Sequence, residues 1–434
     1  MGLPALHSRS VDAALLVAVK LAIGAWVLHQ GFTHVSDDDY ARTVIAEQFA
    51  HAPRLDPSGT SWLPFPFWLE GAVMAVAGTS LGVARAIATT LGAASVAAPY
   101  LAMRAVGVRR WAAVAATAVA MALPWNAWLG VATVPEAWFG ALVAAAAILL
   151  GRPGTRAWSA GALLVASLCR YEAWPVCALA ALLCAWSADD GGHRRRDVPA
   201  IVAAAAGPIA WMAWNAHAHG SPFHFLSRVA TFRHAVGAAD ASLVEKLFTY
   251  PVSLLEETPE VALLGIVGLA GLALPEVRAR WKWAAVAAAT VMVFLVWGDL
   301  KDGAPTHHPA RALAALWWVL CGMGVDAAAT WRAARVGARR KAAFGVAAAA
   351  AVAWCVLLPA RWKDAPGRSP DEDRTAQIAR GLDLRARHVE HAELRPCAFE
   401  QFALLAAWGE PERATVFPRS GAAVTDECPR VTER

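Results

Sequence analysis

Apolar residues dominate this chain in long unbroken runs separated by short polar or charged connections. Strict alternation, the mark of a half-buried strand, is not the governing pattern. Runs suited to crossing about 30 Å of hydrocarbon lie at Val11 to Leu28, Val83 to Met103, Ala112 to Leu129, Ala137 to Leu150, Ala157 to Leu168, Ala173 to Trp186, Pro199 to Trp214, Val261 to Leu274, Trp283 to Trp297, Ala310 to Val325 and Ala343 to Leu358. They predict an all-α polytopic membrane protein of about eleven spans. The first run is long enough to cross and lacks a small-residue cleavage site, so it reads as a retained helix rather than a cleaved signal. Trp62 to Ala77 is also apolar, but counting it as a span would reverse the sidedness of every later connection. It is expected instead to lie along or dip into the outer leaflet as a juxtamembrane helix, with Trp62, Phe65, Phe67 and Trp68 at the interface.

Composition agrees with this class. The 434 residues are 58% hydrophobic and 17% charged, with 21 Trp and a mean hydropathy of +0.42, well outside soluble averages. The formal charge of +5 would suggest nucleic acid only if the basic residues had no other cause, and the membrane supplies one. Arg104/Arg109/Arg110, Arg152/Arg156, Arg194 to Arg196, Arg278/Arg280/Lys282 and Arg332 to Lys341 all fall on one side of the predicted spans. The other side holds Asp37 to Asp39, Glu136, Glu172, the connection from His217 to Pro259, and Gly298 to His308. With the basic set inside, the N-terminus is cytoplasmic and the tail beyond Leu358 is extracytoplasmic. The expected organisation is a membrane domain over residues 1–360, with its first outer loop and juxtamembrane helix at about 30–80, and a small outer region over 361–434.

Five of the seven cysteines, Cys169, Cys177, Cys184, Cys321 and Cys355, lie in or beside apolar runs and read as small hydrophobes. Cys397 and Cys428 share the tail, where an oxidising exterior favours a disulfide. No CxxC, HExxH, P-loop or GxGxxG pattern occurs. This argues against structural zinc, a metalloprotease, nucleotide-driven transport and a dinucleotide fold. No metal site is assigned, and for His217 and His219 the reading as loop or substrate-contact residues outweighs metal ligation, because no further ligand stands at a defined spacing. The connection from Trp214 to Pro259, rich in His and Arg, is expected to be a long loop, functional or disordered.

The order of these pieces resembles the GT-C superfamily of polyprenyl-phosphate-sugar-dependent glycosyltransferases. The nearest likeness is the branch of protein O-mannosyltransferases and lipid A aminoarabinose transferases. Asp37-Asp38-Asp39-Tyr40 is similar to that branch's acidic motif in the first outer loop. Leu63-Pro64-Phe65-Pro66-Phe67-Trp68 is similar to its His-Pro-Pro-aromatic run without the His, and Val134-Pro135-Glu136 to the acid of the next outer loop. The resemblance covers about the first half of the chain.

What it implies is a sugar transfer from a polyprenyl-phosphate donor to an extracytoplasmic acceptor, a glycolipid, polysaccharide or protein, in the cell membrane. Such a transfer needs a base for the acceptor's proton. Asp37 is the first candidate and Asp38 the second. Crowding of three acids favours either a raised pKa or a divalent cation, and the branch is not generally thought to need the cation. Asp39, Tyr40 and Glu136 are expected to contact the acceptor or support residues that do. Glu136 also suits a helix N-terminus for its own sake. Arg170 and Arg311 are expected at the donor phosphate, though Arg170 equally suits a pair with Glu172 or a snorkelling role. His217, His219 and His308 are candidates for the substrate loop. A multi-span transporter or flippase of a lipid-linked or anionic substrate is the second reading. Internal repeats and polar groups at mid-depth would favour it, and neither is evident in the sequence.

Overall fold

The computed structural model describes residues 3–186, 197–235, 241–302, 308–333, 360–366, 372–422, 424–425 and 427–433. The chain enters through α1 (Leu3–His29), whose length of about 40 Å exceeds the hydrocarbon thickness. The segment that follows α1 is not an open loop, because it carries α2 (Asp38–His51) and α3 (Phe65–Ala77). At 13 residues α3 extends about 20 Å.

The apolar run expected at Val83 to Met103 comprises α4 (Leu81–Ser95) and α5 (Ala97–Ala105). The next run divides into α6 (Arg110–Ala122) and α7 (Pro124–Leu129). Pro124 causes that division, since it drives Leu123 out of the helical region to φ −53°, ψ 139°. Backbone carbonyls beside the break are then met by a cation from the middle of α1. Lys20, 2% exposed, donates from Nζ to Met121 O (3.0 Å), Asn126 O (2.7 Å) and Asn126 Oδ1 (3.1 Å). A lysine within the apolar run of a span therefore has a full set of acceptors.

The bundle continues through α8 (Glu136–Leu149), α9 (Arg156–Ala166), α10 (Trp174–Ala185) and α11 (Val198–His219). The expectation of a long loop from Trp214 to Pro259 is corrected here. Helix α11 runs on to His219, and α12 (His224–Ala235) and α13 (Leu243–Glu257) follow. Ser242 and Glu245 form a reciprocal capping box at the start of α13, which satisfies its first amides. After α14 (Pro259–Gly271), α15 (Pro275–Leu300) and a 3-10 turn at Pro309–Leu313 comes α16 (Ala314–Ala333), the most deeply buried of the long helices. The run Ala343 to Leu358 lies outside the described residues.

Among the described residues, five helical stretches are long and apolar enough to cross a membrane, and five further apolar helices are shorter. The protein is an integral membrane protein, built among the described residues from these helices and very little sheet. Glycines let α14 and α16 approach closely: a Cβ on Gly324 would lie 2.4 Å from Leu264 O, and one on Gly268 would lie 2.7 Å from Met323 Cγ.

The tail forms α17 (Thr375–Ala386), α18 (Gln401–Trp408) and a small sheet of β1 (Ala392–Arg395), β2 (Ala414–Val416) and β3 (Arg430–Glu433). Strand β1 is central, parallel to β2 and antiparallel to β3. Cys397 and Cys428 are joined by a disulfide. This unit packs on α2, so Tyr40 and Val44 share a core with Leu384, Leu394, Leu404 and Trp408. Trp362 and Trp128 exchange indole contacts with the facing backbone: Trp362 Nε1 donates to Ala122 O (2.8 Å) and Trp128 Nε1 to Trp362 O (2.9 Å). These bonds fasten the start of the tail to the bundle.

Candidate active site

Asp37, Asp38 and Asp39 sit at the start of α2, Asp37 already with helical backbone angles, and the helical rotation sends their carboxylates to different partners. Asp39 faces inward and is 2% exposed. It accepts from the amides of Val35 (3.1 Å), Ser36 (3.2 Å) and Thr133 (3.0 Å), while Thr133 Oγ1 donates back to Asp39 O (2.6 Å). Burial raises its pKa to about 6, against the lowering effect of Arg311 and of the Ser36 and Val35 amides. Asp39 thus ties the segment that follows α1 to the loop that leads into α8.

Glu136 is fully buried at the first position of α8. Its Oε1 accepts from Arg311 Nε (3.0 Å), Arg311 Nη2 (2.7 Å) and Arg170 Nη1 (2.6 Å). Arg311 also donates from Nη1 to Ser36 Oγ (2.9 Å) and Asp38 Oδ2 (3.2 Å). Arg170 donates from Nε (3.0 Å) and Nη2 (2.6 Å) to Glu172 Oε1. The result is an alternating line of charge, Asp38, Arg311, Glu136, Arg170, Glu172, in which each buried ion has an opposite neighbour. Such alternation offsets the desolvation that isolated charges would suffer. Asp38 is its open end, with a side chain 42% exposed.

Asp37 is held from the tail. Arg374 Nε donates to Asp37 Oδ1 (2.8 Å) and Arg374 Nη2 to Asp37 Oδ2 (2.9 Å), a two-pronged pair across most of the chain. Beside it, His308 Nε2 lies 3.9 Å from Glu372 Oε1 and its ring stands 5.6 Å from that of Trp125. Tyr40 is buried in the core shared with the tail, and its hydroxyl bonds to His34 Nδ1 (3.1 Å). Burial pushes His34 down to about 4. The aromatic run covers the arginine end of the cluster: Tyr171, next to Arg170, donates to Ser61 O (2.8 Å), and Phe65 N donates to Leu168 O (3.0 Å).

His217 and His219 belong to a separate patch at the end of α11. His217 lies against Trp214 (5.9 Å between rings), and His219 stacks on His224 (4.1 Å) with Nε2 4.0 Å from Asp56 Oδ2. No bond among the described residues links them to the line of charge. A divalent cation at Asp37 to Asp39 does not suit this arrangement. Asp37 is taken by Arg374, Asp38 by Arg311 and Asp39 by backbone amides, so the three carboxylates do not converge.

Two arginines were not singled out by the sequence. Arg374 lies far from Asp37 along the chain, and nothing local marks it. Arg42 follows Asp38 by one helical turn, a spacing that does place it on the same side of α2. It is 4% exposed, with Cζ 4.4 Å from the centre of the Trp62 ring and 5.5 Å from that of Phe67.

No family model and no curated protein matches the chain. Among solved structures it is similar to the oligosaccharyltransferase of Archaeoglobus fulgidus in the apo form, at 12% identity and a TM-score of 0.54, covering 95% of this chain and 65% of that one. The archaeal enzyme bound to an inhibitory peptide and a dolichol-phosphate gives 12% identity, a TM-score of 0.50 and coverage of 95% and 60%. ArnT from Cupriavidus metallidurans bound to undecaprenyl phosphate gives 15%, 0.48, 91% and 74%. The chain therefore spans about two thirds of the length of the archaeal enzyme and shares its fold.

Proposed function

We propose that this protein transfers a sugar from a polyprenyl-phosphate-linked donor to an extracytoplasmic acceptor. The observation that carries the reading is the meeting of Asp38, Glu136, Arg170 and Arg311, which come from four separate connections, in one cluster of carboxylates and guanidiniums, with Asp37 next in sequence to Asp38 and held by Arg374. The fold shared with a glycosyltransferase that binds a dolichol-phosphate supports the donor class. In the reaction an acceptor hydroxyl oxygen attacks the anomeric carbon. The bond from that carbon to the phosphate oxygen breaks, the phosphate leaves with the electron pair, and the hydroxyl proton passes to a carboxylate.

Asp38 has the freer carboxylate, half-exposed and touched by Arg311 through one oxygen. Asp37 takes the proton only if Arg374 withdraws. Arg170 and Arg311 hold Glu136, Glu172 and Asp38 in place, since each of their nitrogens already donates to an acceptor.

Transfer of a radiolabelled sugar from polyprenyl-phosphate donors by reconstituted protein tests the proposal. Asp38→Asn keeps the side chain's shape and removes its basicity, so a loss of about 10²-fold or more is expected. Asp37→Asn should cost less. Full activity in the double Asn variant would eliminate the carboxylate mechanism, and no transfer from any lipid-linked sugar by the wild type would eliminate the function.

A further inference from the structure

Four arginines surround the cluster, and in three of them every guanidinium nitrogen donates at least one hydrogen bond. Arg170 donates to Glu136 and Glu172, Arg311 to Glu136, Ser36 and Asp38, and Arg374 to Asp37 and to Asp373 O. Arg42 differs. Its Nε and Nη1 are buried without a hydrogen-bond partner, and no carboxylate among the described residues lies within ion-pair distance of it. Asp38, Glu136, Arg170 and Arg311 are among the charges whose fields reach it, which puts it at the edge of the same cluster, and the field of Arg42 is felt in turn by Glu70, buried on α3.

Leaving a buried guanidinium with unmet donors is costly, and the geometry indicates what would meet them. The ring of Trp62 at 4.4 Å holds Arg42 by cation–π attraction. Acceptors must then approach the donor edges in the guanidinium plane. Unmet cationic donors beside the proposed acid cluster, on the helix that carries Asp38 and against the aromatic run of the juxtamembrane segment, form a binding position for an oxyanion.

We infer that Arg42, seated on Trp62 and Phe67, binds the phosphate of the polyprenyl-phosphate donor. This assignment rests on the glycosyltransferase reading. It moves the phosphate contact from Arg170 and Arg311, whose nitrogens are occupied, to the arginine whose donors are open. Oxygens of a phosphodiester match guanidinium N–H groups in the plane, and the aromatic run that backs Arg42 comes from the segment placed at the membrane surface, where such a headgroup lies.

The test is equilibrium binding to the full-length protein in nanodiscs, with undecaprenyl phosphate, undecaprenol and inorganic phosphate as probes. The wild type should prefer undecaprenyl phosphate over undecaprenol by about tenfold or more, and inorganic phosphate should compete poorly. Arg42→Met should abolish the preference, and Arg42→Lys, which keeps the charge but not the planar stack, should retain part of it. Should Arg42→Met fail to insert, the lysine variant and a structure of the wild type with undecaprenyl phosphate decide, with the phosphate in contact with Arg42 as the expected result. A full preference in Arg42→Met, or a phosphate held by Arg170 or Arg311 alone, overturns this assignment and leaves the functional reading standing. Inorganic phosphate competing as well as the lipid overturns the lipid source. No preference in the wild type overturns the assignment and the functional reading together.

Discussion

At Glu136 a single carboxylate oxygen takes N–H donors from two arginines, and the side chain is fully buried. Removing a shared counter-ion harms more than removing a surface charge, because both arginines stay behind in a desolvated place. Glu136→Gln should therefore destabilise the protein by about 3–5 kcal/mol, read from denaturant unfolding in detergent. Combining it with Arg311→Met should recover part of that loss, since the double variant no longer strands that cation. Additive effects would show that the two residues do not act as a pair. The same residues mark where sequence reading stops. Adjacent acids at 37 to 39 announced chemistry, but their division among Arg374, Arg311 and backbone amides follows from the turn into α2 and from a tail 337 residues away from Asp37. The i to i+4 step from Asp38 to Arg42 was legible, whereas Arg374 had no local signal at all.

Among the elements, the apolar runs carry most of their own structure, since a backbone in hydrocarbon satisfies its polar groups as a helix. Two readings went astray for identifiable reasons. The run at Ala112 to Leu129 contains Pro124, whose restriction of Leu123 divides it in two. The stretch from Trp214 to Pro259 has polar and cationic residues spaced through apolar ones, and that mixture belongs to helices with one exposed face. Ser242 and Glu245 were a capping-box signature within it. Packing between elements is set by glycine where α14 meets α16. A methyl on Gly324 would meet the carbonyl of Leu264, which cannot rotate away, whereas one on Gly265 would lie 3.4 Å from the mobile tip of Leu320. Gly324→Ala should thus cost about 1–3 kcal/mol, and Gly265→Ala should fall within about 0.5 kcal/mol of the wild type. Thermal unfolding of both variants in one detergent checks the contrast, and equal losses would refute close backbone approach as the reason for glycine.

For the whole molecule, the tail and the segment that follows α1 form one unit, so both share one side of the membrane. Tyr40 and Val44 of α2 share a core with the tail, and Arg374 reaches Asp37, so the tail must lie on the same side of the membrane as Asp37 to Asp39. The basic residues Arg152 and Arg156 flank the turn at Pro153–Thr155 and predict that this turn faces the cytoplasm. Gly154 and Ser420 are both exposed, which makes them suitable reporters. Four native thiols, Cys169, Cys177, Cys184 and Cys321, are free but buried, and Cys397 and Cys428 are bonded, so background labelling is limited once Cys355 is replaced by alanine. In intact cells a membrane-impermeant maleimide should label Ser420→Cys and spare Gly154→Cys until the membrane is opened. Labelling of both from outside, or of neither, would break the link between tail, acidic cluster and positive-inside charge. Labelling of Gly154→Cys alone would invert the protein and put the cluster in the cytoplasm, where the proposed extracytoplasmic transfer could not take place.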